Sequence, residues 1–173
     1  MKQFILMVIL SLDLNVIAQH TENKNIKSKI VEFFDAFHKQ DTTALNAMVT
    51  DKVILQSIST NKEGKTILKE YGFSKFLIAI GRILKGQNFE EKLFGFNIQL
   101  DGNMAYAWIP YEFWYQDKFS NCGVNSFQLI KTAAESKISY LVDTRRQYDC
   151  RDNTKLQWRT SKSFLLLGSL GWD

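Results

Sequence analysis

Few side chains in this sequence could do chemistry, and three of them could move a proton. Glu112 sits among aromatic neighbours in YEFWY (Tyr111 to Tyr115), just after Pro110. A carboxyl in apolar surroundings is pushed towards its neutral form, which suits a general acid or base working near neutral pH. Asp143 lies two residues before Arg145, so on a strand both point to one face. Such a pair is either a structural ion pair or, at the mouth of a pocket, a seat for an anionic or polar ligand. His38, in FHKQD, reads as a cation settled on a helix C-terminus or as a base at a pocket rim. A second set would bind rather than react. Tyr106, Trp108, Tyr111, Trp114 and Phe127 make an aromatic wall along two neighbouring strands. That wall is sheet packing or the lining of a cavity that stacks on a flat ligand.

Several chemistries are missing from the text. There is no G-x-S-x-G elbow, no phosphate-binding loop, no G-x-G-x-x-G and no H-E-x-x-H. Two histidines and two cysteines are too few to suggest a zinc site, so neither a metal nor a cofactor is expected. The 22 Lys and Arg against 18 Asp and Glu give a net charge of +4. The basic residues are scattered rather than interleaved with aromatics in a run, so no nucleic-acid partner is expected.

The elements that must position these residues follow from periodicity. Ile26, Ile30, Phe33, Phe34 and Phe37 form one stripe of a helix over residues 21–39. Asp41 or Thr42 caps a short second helix, Thr43 to Val49. Val53 to Ile58 alternates as a strand, and Phe73 to Leu84 forms a third helix with Phe76, Leu77, Ile80 and Leu84 on one face. The period then changes to two. Lys92 to Leu100, Met104 to Tyr115, Phe119 to Thr132 and Lys137 to Gln147 read as strands of an antiparallel meander. Asp101-Gly102 is the signal for a type I′ hairpin. Pro110 should mark a bulge or an edge position, and a bulge would invert the faces of Glu112 and Trp114. Helices first and strands after predict an α+β domain, three N-terminal helices packed on a strongly curved antiparallel sheet.

At 173 residues, 45% hydrophobic and 23% charged, the chain is one globular domain. Met1-Lys2, the apolar stretch Phe4 to Leu12 and Val16-Ile17-Ala18 predict a signal peptide over residues 1–18 cleaved near Ala18. The stretch is too short to span a bilayer, so no membrane contact beyond the leader is expected. Asp13 runs against this pattern, and the alternative is an N-terminal helix packed on the domain. The domain then covers residues 19–150, and residues 151–173, ending FLLLGSLGW, form an extension of unassigned role. Export bears on Cys122 and Cys150, which are buried thiols in a reducing compartment and a disulfide outside it. A hairpin turn at Ala133 to Ser136 puts Cys122 opposite about Gln147, within a few residues of Cys150, so the bridge is geometrically reasonable.

The order of elements, with IVEFFDAFHKQDTTALNAMV (Ile30 to Val49), DGNMAYAWIPYEFWYQDKFSNCGVNSFQLIKT (Asp101 to Thr132) and ISYLVDTRRQYDC (Ile138 to Cys150), resembles the nuclear transport factor 2-like superfamily. That superfamily includes the SnoaL-like cyclases and the ketosteroid isomerases, and the text is most similar to an exported bacterial group within it. The resemblance covers about residues 21–150. It implies a cone whose bent sheet wraps the first helix and leaves a pocket at the open end, and it names no reaction. The catalytic aspartate and tyrosine of the steroid isomerases have no matching pair here. The expected function is binding of a small, partly apolar molecule in the cone, with Tyr106, Trp108, Tyr111, Trp114, Phe127 and Arg145 as ligand-binding residues. One alternative is an isomerase, dehydratase or cyclase using Glu112 or Asp143 as base. The other is a homodimeric interaction module without ligand, a homodimer being the common assembly in the superfamily.

Overall fold

The computed structural model describes residues 21–84 and 86–150. The expected leader and the extension 151–173 lie outside the described residues. Helix α1 occupies residues 21–38, and its expected stripe is its buried face: Ile26, Ile30, Phe33, Phe34 and Phe37 are all buried. Each large apolar side chain so buried contributes about 1.5–3 kcal/mol. Helix α2 (Thr42–Ala47) starts where Asp41 accepts the Ala44 backbone N–H at 2.9 Å, satisfying one of the helix's orphan donors. Helix α3 spans Phe73–Gly81. It ends before the expected Leu84, which lies beyond the helix and is exposed.

The strands are β1 (Val49–Thr60), β2 (Thr66–Tyr71), β3 (Phe89–Leu93), β4 (Asn97–Asp101), β5 (Met104–Tyr115), β6 (Lys118–Lys131) and β7 (Ser136–Arg145). They form one curved, open sheet in the order β2-β1-β7-β6-β5-β3, with β4 also paired to β5. The expected meander is present in β4 to β7. The sheet departs from all-antiparallel at one joint, because β1 runs parallel to β7. A parallel pair needs a long crossover, supplied here by everything between β1 and β7. Strand β2 has no counterpart in the sequence reading. It is an edge strand exposed along most of its length, so it carries no apolar alternation.

The expected strand Lys92 to Leu100 is two strands, broken at Phe94–Phe96, with Gly95 at φ +80°. That break explains Pro110. Its carbonyl accepts the Phe94 N–H at 2.8 Å, so its missing N–H falls on the side where the neighbouring strand is interrupted. No bulge forms there, and the β5–β6 register runs regularly from Met104↔Ile130 to Phe113↔Asn121. Ala105, Ala107, Ile109, Tyr111 and Phe113 therefore stay on the inner face, while Tyr106, Trp108 and Glu112 stay on the outer one. The Asp101-Gly102 hairpin is present, but its loop is Gly102-Asn103 and only Gly102 has positive φ. The pair of left-handed residues expected there occurs instead at Gln116 and Asp117, between β5 and β6. Inside the sheet, the Phe33 and Phe34 rings meet Phe127 edge-on at 5.9 Å, a favoured aromatic geometry.

Candidate functional site

The inner face of the sheet, α1 and α3 enclose a cavity of about 500 Å³, within the range of small-molecule sites. Its apolar wall comes from Phe33, Phe34 and Phe37 of α1, Phe76 and Ile80 of α3, and Leu55 and Leu141 of the sheet. Phe37 and Phe76 lie parallel with centroids 6.0 Å apart. The opposite wall is polar, because successive inward positions on β3, β5, β6 and β7 bring Glu91, Tyr111, Asn121, Asn125, Asp143 and Arg145 into the cavity.

These residues form two joined clusters. In the first, the Asn125 amide donates to Glu91 Oε1 at 2.5 Å. Burial pushes the Glu91 carboxyl up from 4.5 to about 7. The Asn125 hydrogen bond opposes that rise, the Asp143 charge adds to it and Arg145 opposes it. In the second, Asp143 Oδ2 accepts from Arg145 Nε at 2.6 Å and lies 3.1 Å from the Tyr111 hydroxyl. That hydroxyl also lies 3.0 Å from the Thr144 carbonyl and 3.2 Å from Asn121 Oδ1, and can donate to one acceptor at a time. Burial and the Asp143 charge push the phenol far above its ordinary value, so it remains a donor. Burial would lower the Arg145 guanidinium, but the Asp143 carboxylate more than offsets this and holds it protonated.

Gly123 makes the second cluster possible. A Cβ there would lie 1.7 Å from the Thr144 carbonyl oxygen and 3.0 Å from the Tyr111 ring, so only glycine admits the Tyr111–Thr144 approach.

The structure divides the candidates named from sequence. Tyr111, Asp143 and Arg145 line the cavity. Glu112, Tyr106, Trp108 and Trp114 do not. Glu112 accepts from the Trp114 indole N–H at 3.1 Å, Lys92 sits over the Trp114 ring at 4.3 Å, and Trp108 is 40% exposed. Their separation follows from the unbroken alternation through Pro110, which puts even-numbered β5 residues outside. Phe127 is fully buried against α1 and belongs to the core. His38 takes a role that the sequence reading does not offer. Its Nε2 accepts the Glu91 backbone N–H at 2.8 Å, so it holds β3 in place, and a protonated imidazole could not accept there. Burial lowers its proton affinity, against the pull of Glu90 and Asp35.

Sequence reasoning misses Glu91 because it starts the strand at Lys92. The available signal is Phe89, Glu91 and Leu93 in strict alternation, a carboxylate between two inward apolar residues.

Cys122 and Cys150 form a disulfide with Cα atoms 5.8 Å apart. Cys122 pairs with Arg146, one residue from the expected partner. Among the described residues no group of His, Cys, Asp and Glu could hold a metal ion, and no helix is long and apolar enough to cross a membrane.

No protein-family model matches the chain, and no curated protein matches it. Solved structures do. A proposed dehydratase of the nuclear transport factor 2-like family from Streptomyces avermitilis superposes with a TM-score of 0.58 at 11% identity, over 75% of this chain and 99% of that one. The beta subunit of a proposed aromatic-ring-hydroxylating dioxygenase from Novosphingobium aromaticivorans gives 0.61 at 10% identity, over 76% and 92%. A nuclear transport factor 2-like protein with a cystatin-like fold from the same organism gives 0.60 at 14% identity, over 78% and 89%. Identities this low speak for the fold alone. Helix α1 wrapped by a curved sheet that opens on a cavity, together with these superpositions, establishes that the chain has the cone fold of the nuclear transport factor 2-like superfamily.

Proposed function

We propose that the cone binds a small, partly apolar molecule and that Glu91 moves a proton on it. The observation that carries this reading is a carboxyl held near half-ionisation at neutral pH inside a largely aromatic cavity. A plain binding pocket has no need of such a group, whereas a general base needs it. In the reaction class that fits, the Glu91 carboxylate takes a proton from a C–H bond next to a carbonyl. The C–H electron pair passes into the carbonyl, and the protonated Glu91 returns the proton at a neighbouring atom. In isomerisation the proton returns to carbon; in dehydration it goes to a β-hydroxyl oxygen, whose C–O bond breaks as the enolate re-forms the carbonyl and a C=C bond, releasing water. A structural relative described as a proposed dehydratase supports the class as an analogy. Glu91 replaces Glu112 and Asp143 as the base in this proposal, since Glu112 faces outward and Asp143 is committed to Arg145.

The test is deuterium uptake by 2-tetralone, a flat C–H acid small enough for the cavity, incubated with the protein in heavy water. Faster uptake than in buffer, lost in Glu91→Gln, supports the reading. Uptake unaffected by Glu91→Gln overturns it. The disulfide supports an oxidising compartment and so the export expected from the N-terminus. The outer sheet face, with Met104, Trp108 and Ile130 exposed, supports the homodimer reading, which sedimentation equilibrium tests directly.

A further inference from the structure

We propose that the molecule bound in the cone carries a carboxylate on an apolar body, and that Arg145 and Lys75 hold that carboxylate. This inference rests on the reading of the cavity as a binding site, and it names the class of ligand.

Arg145 is fixed by a scaffold that reaches back into the sheet. Gly123 lets the Tyr111 ring and the Thr144 carbonyl approach, Tyr111 contacts Asp143, and Asp143 takes Arg145 through Nε. Tyr111 and Asp143 are both buried, so the anchor is rigid. The anchor uses one edge of the guanidinium only. The bond to Asp143 runs through Nε, and among the described residues the terminal N–H groups have no hydrogen-bond partner. The Arg145 side chain is 53% exposed and lines the cavity. A guanidinium held from behind with its terminal fork open is shaped to take a planar carboxylate through two parallel hydrogen bonds.

Lys75 adds the second charge. It lies in the first turn of α3, where there is no acidic residue, and it lines the same cavity. Among the described residues it makes no ion pair. Among the described residues the carboxyl groups lining the cavity are Asp143 and Glu91, and Glu91 already accepts from Asn125. Lys75 on α3 and Arg145 on β7 put two cations on a lining that also carries Phe34, Phe37 and Phe76, which fits an anionic head on an apolar body.

The test compares 2-naphthylacetate with 2-(2-naphthyl)ethanol, which share the ring system and differ in charge, by titration calorimetry on the full chain at pH 7.5. Charge-assisted hydrogen bonds predict that the acid binds about tenfold tighter or more. Lys75→Gln and Arg145→Gln should each weaken the acid and leave the alcohol unchanged, with Arg145→Lys recovering part of the loss. Lys75 is exposed, so its variant reads out even if loss of Arg145 unfolds the chain. Equal affinity for acid and alcohol overturns the inference while the cavity remains a binding site. Binding of neither compound overturns both. Glu91→Gln removes a like charge from the cavity and should strengthen the preference for the acid while abolishing deuterium exchange, which separates this inference from the proton-transfer reading.

Discussion

Replacing Glu91 by glutamine should change how stability depends on pH, and the size of the change follows from the site. The carboxyl rises from 4.5 to about 7 on folding. Below pH 4.5 both folded and unfolded chains hold the proton, and burial of the neutral acid is tolerated. Between pH 4.5 and about 7 the unfolded chain releases it and the folded chain keeps it. Glu91 therefore contributes stability at low pH that is lost as pH rises through about 7. At about 1.4 kcal/mol per tenfold change in proton affinity, the whole loss is about 3 kcal/mol. His38 acts in the opposite direction. Its proton affinity is lowered by folding, so its contribution is present above 6.5 and is lost as pH falls. Comparing wild type with Glu91→Gln cancels His38 and isolates Glu91. The amide introduced by Glu91→Gln can still accept from Asn125, so the variant keeps the hydrogen bond and removes only the ionisation. Urea unfolding at pH 4.5, 6 and 8 should show the variant gaining on wild type by about 3 kcal/mol across the series, or roughly 6–12 °C in Tm. A difference that stays constant from pH 4.5 to 8 would refute the placement of Glu91 in a desolvated cavity.

Three further outcomes are expected. Gly123→Ala, which drives a Cβ into the Thr144 carbonyl, should cost more than about 3 kcal/mol and release β7 from β6 at that point, read as a lowered urea midpoint. Reducing the Cys122–Cys150 disulfide, whose cysteines are 28 residues apart, should cost about 3–4 kcal/mol on the chain-entropy estimate, with Cys122→Ser giving a matching loss. Trp108→Ala should leave naphthylacetate affinity unchanged in calorimetry, because Trp108 lies on the outer face. The aromatic-wall reading from sequence predicts a weaker uptake.

Much of the frame is legible in the sequence, for local reasons. The α1 stripe follows from a period of 3.6 carried by five large apolar residues. Strand β5 has the ends expected of it, and β6 and β7 start within one residue of theirs, because turn residues bracket long alternating runs. That accuracy places Cys122 within one residue of its partner. What stays hidden depends on distant pairing. Nothing within β1 signals that it will lie parallel to β7, and β2 (TILKEY) shows no alternation because this exposed edge has no face it must bury. The site is half legible. The Asp143–Arg145 spacing forecasts a shared face, and both residues do line the cavity. Glu112 draws notice for its aromatic neighbours, yet the glutamate inside the cavity is Glu91. The difference lies in phase. Pro110 would invert the alternation if it made a bulge, but the gap between β3 and β4 absorbs its missing N–H and leaves Glu112 outside.

The ionisation of Glu91 can be read by a carbon-13 NMR titration of the glutamate side-chain carboxyls, assigned by the resonance that disappears in Glu91→Gln. One carboxyl should titrate near pH 7 in the free protein. Addition of naphthylacetate should move that midpoint higher, as a second negative charge enters the cavity. A Glu91 resonance that titrates near 4.5 with or without ligand would contradict the proposed role of Glu91 in moving a proton.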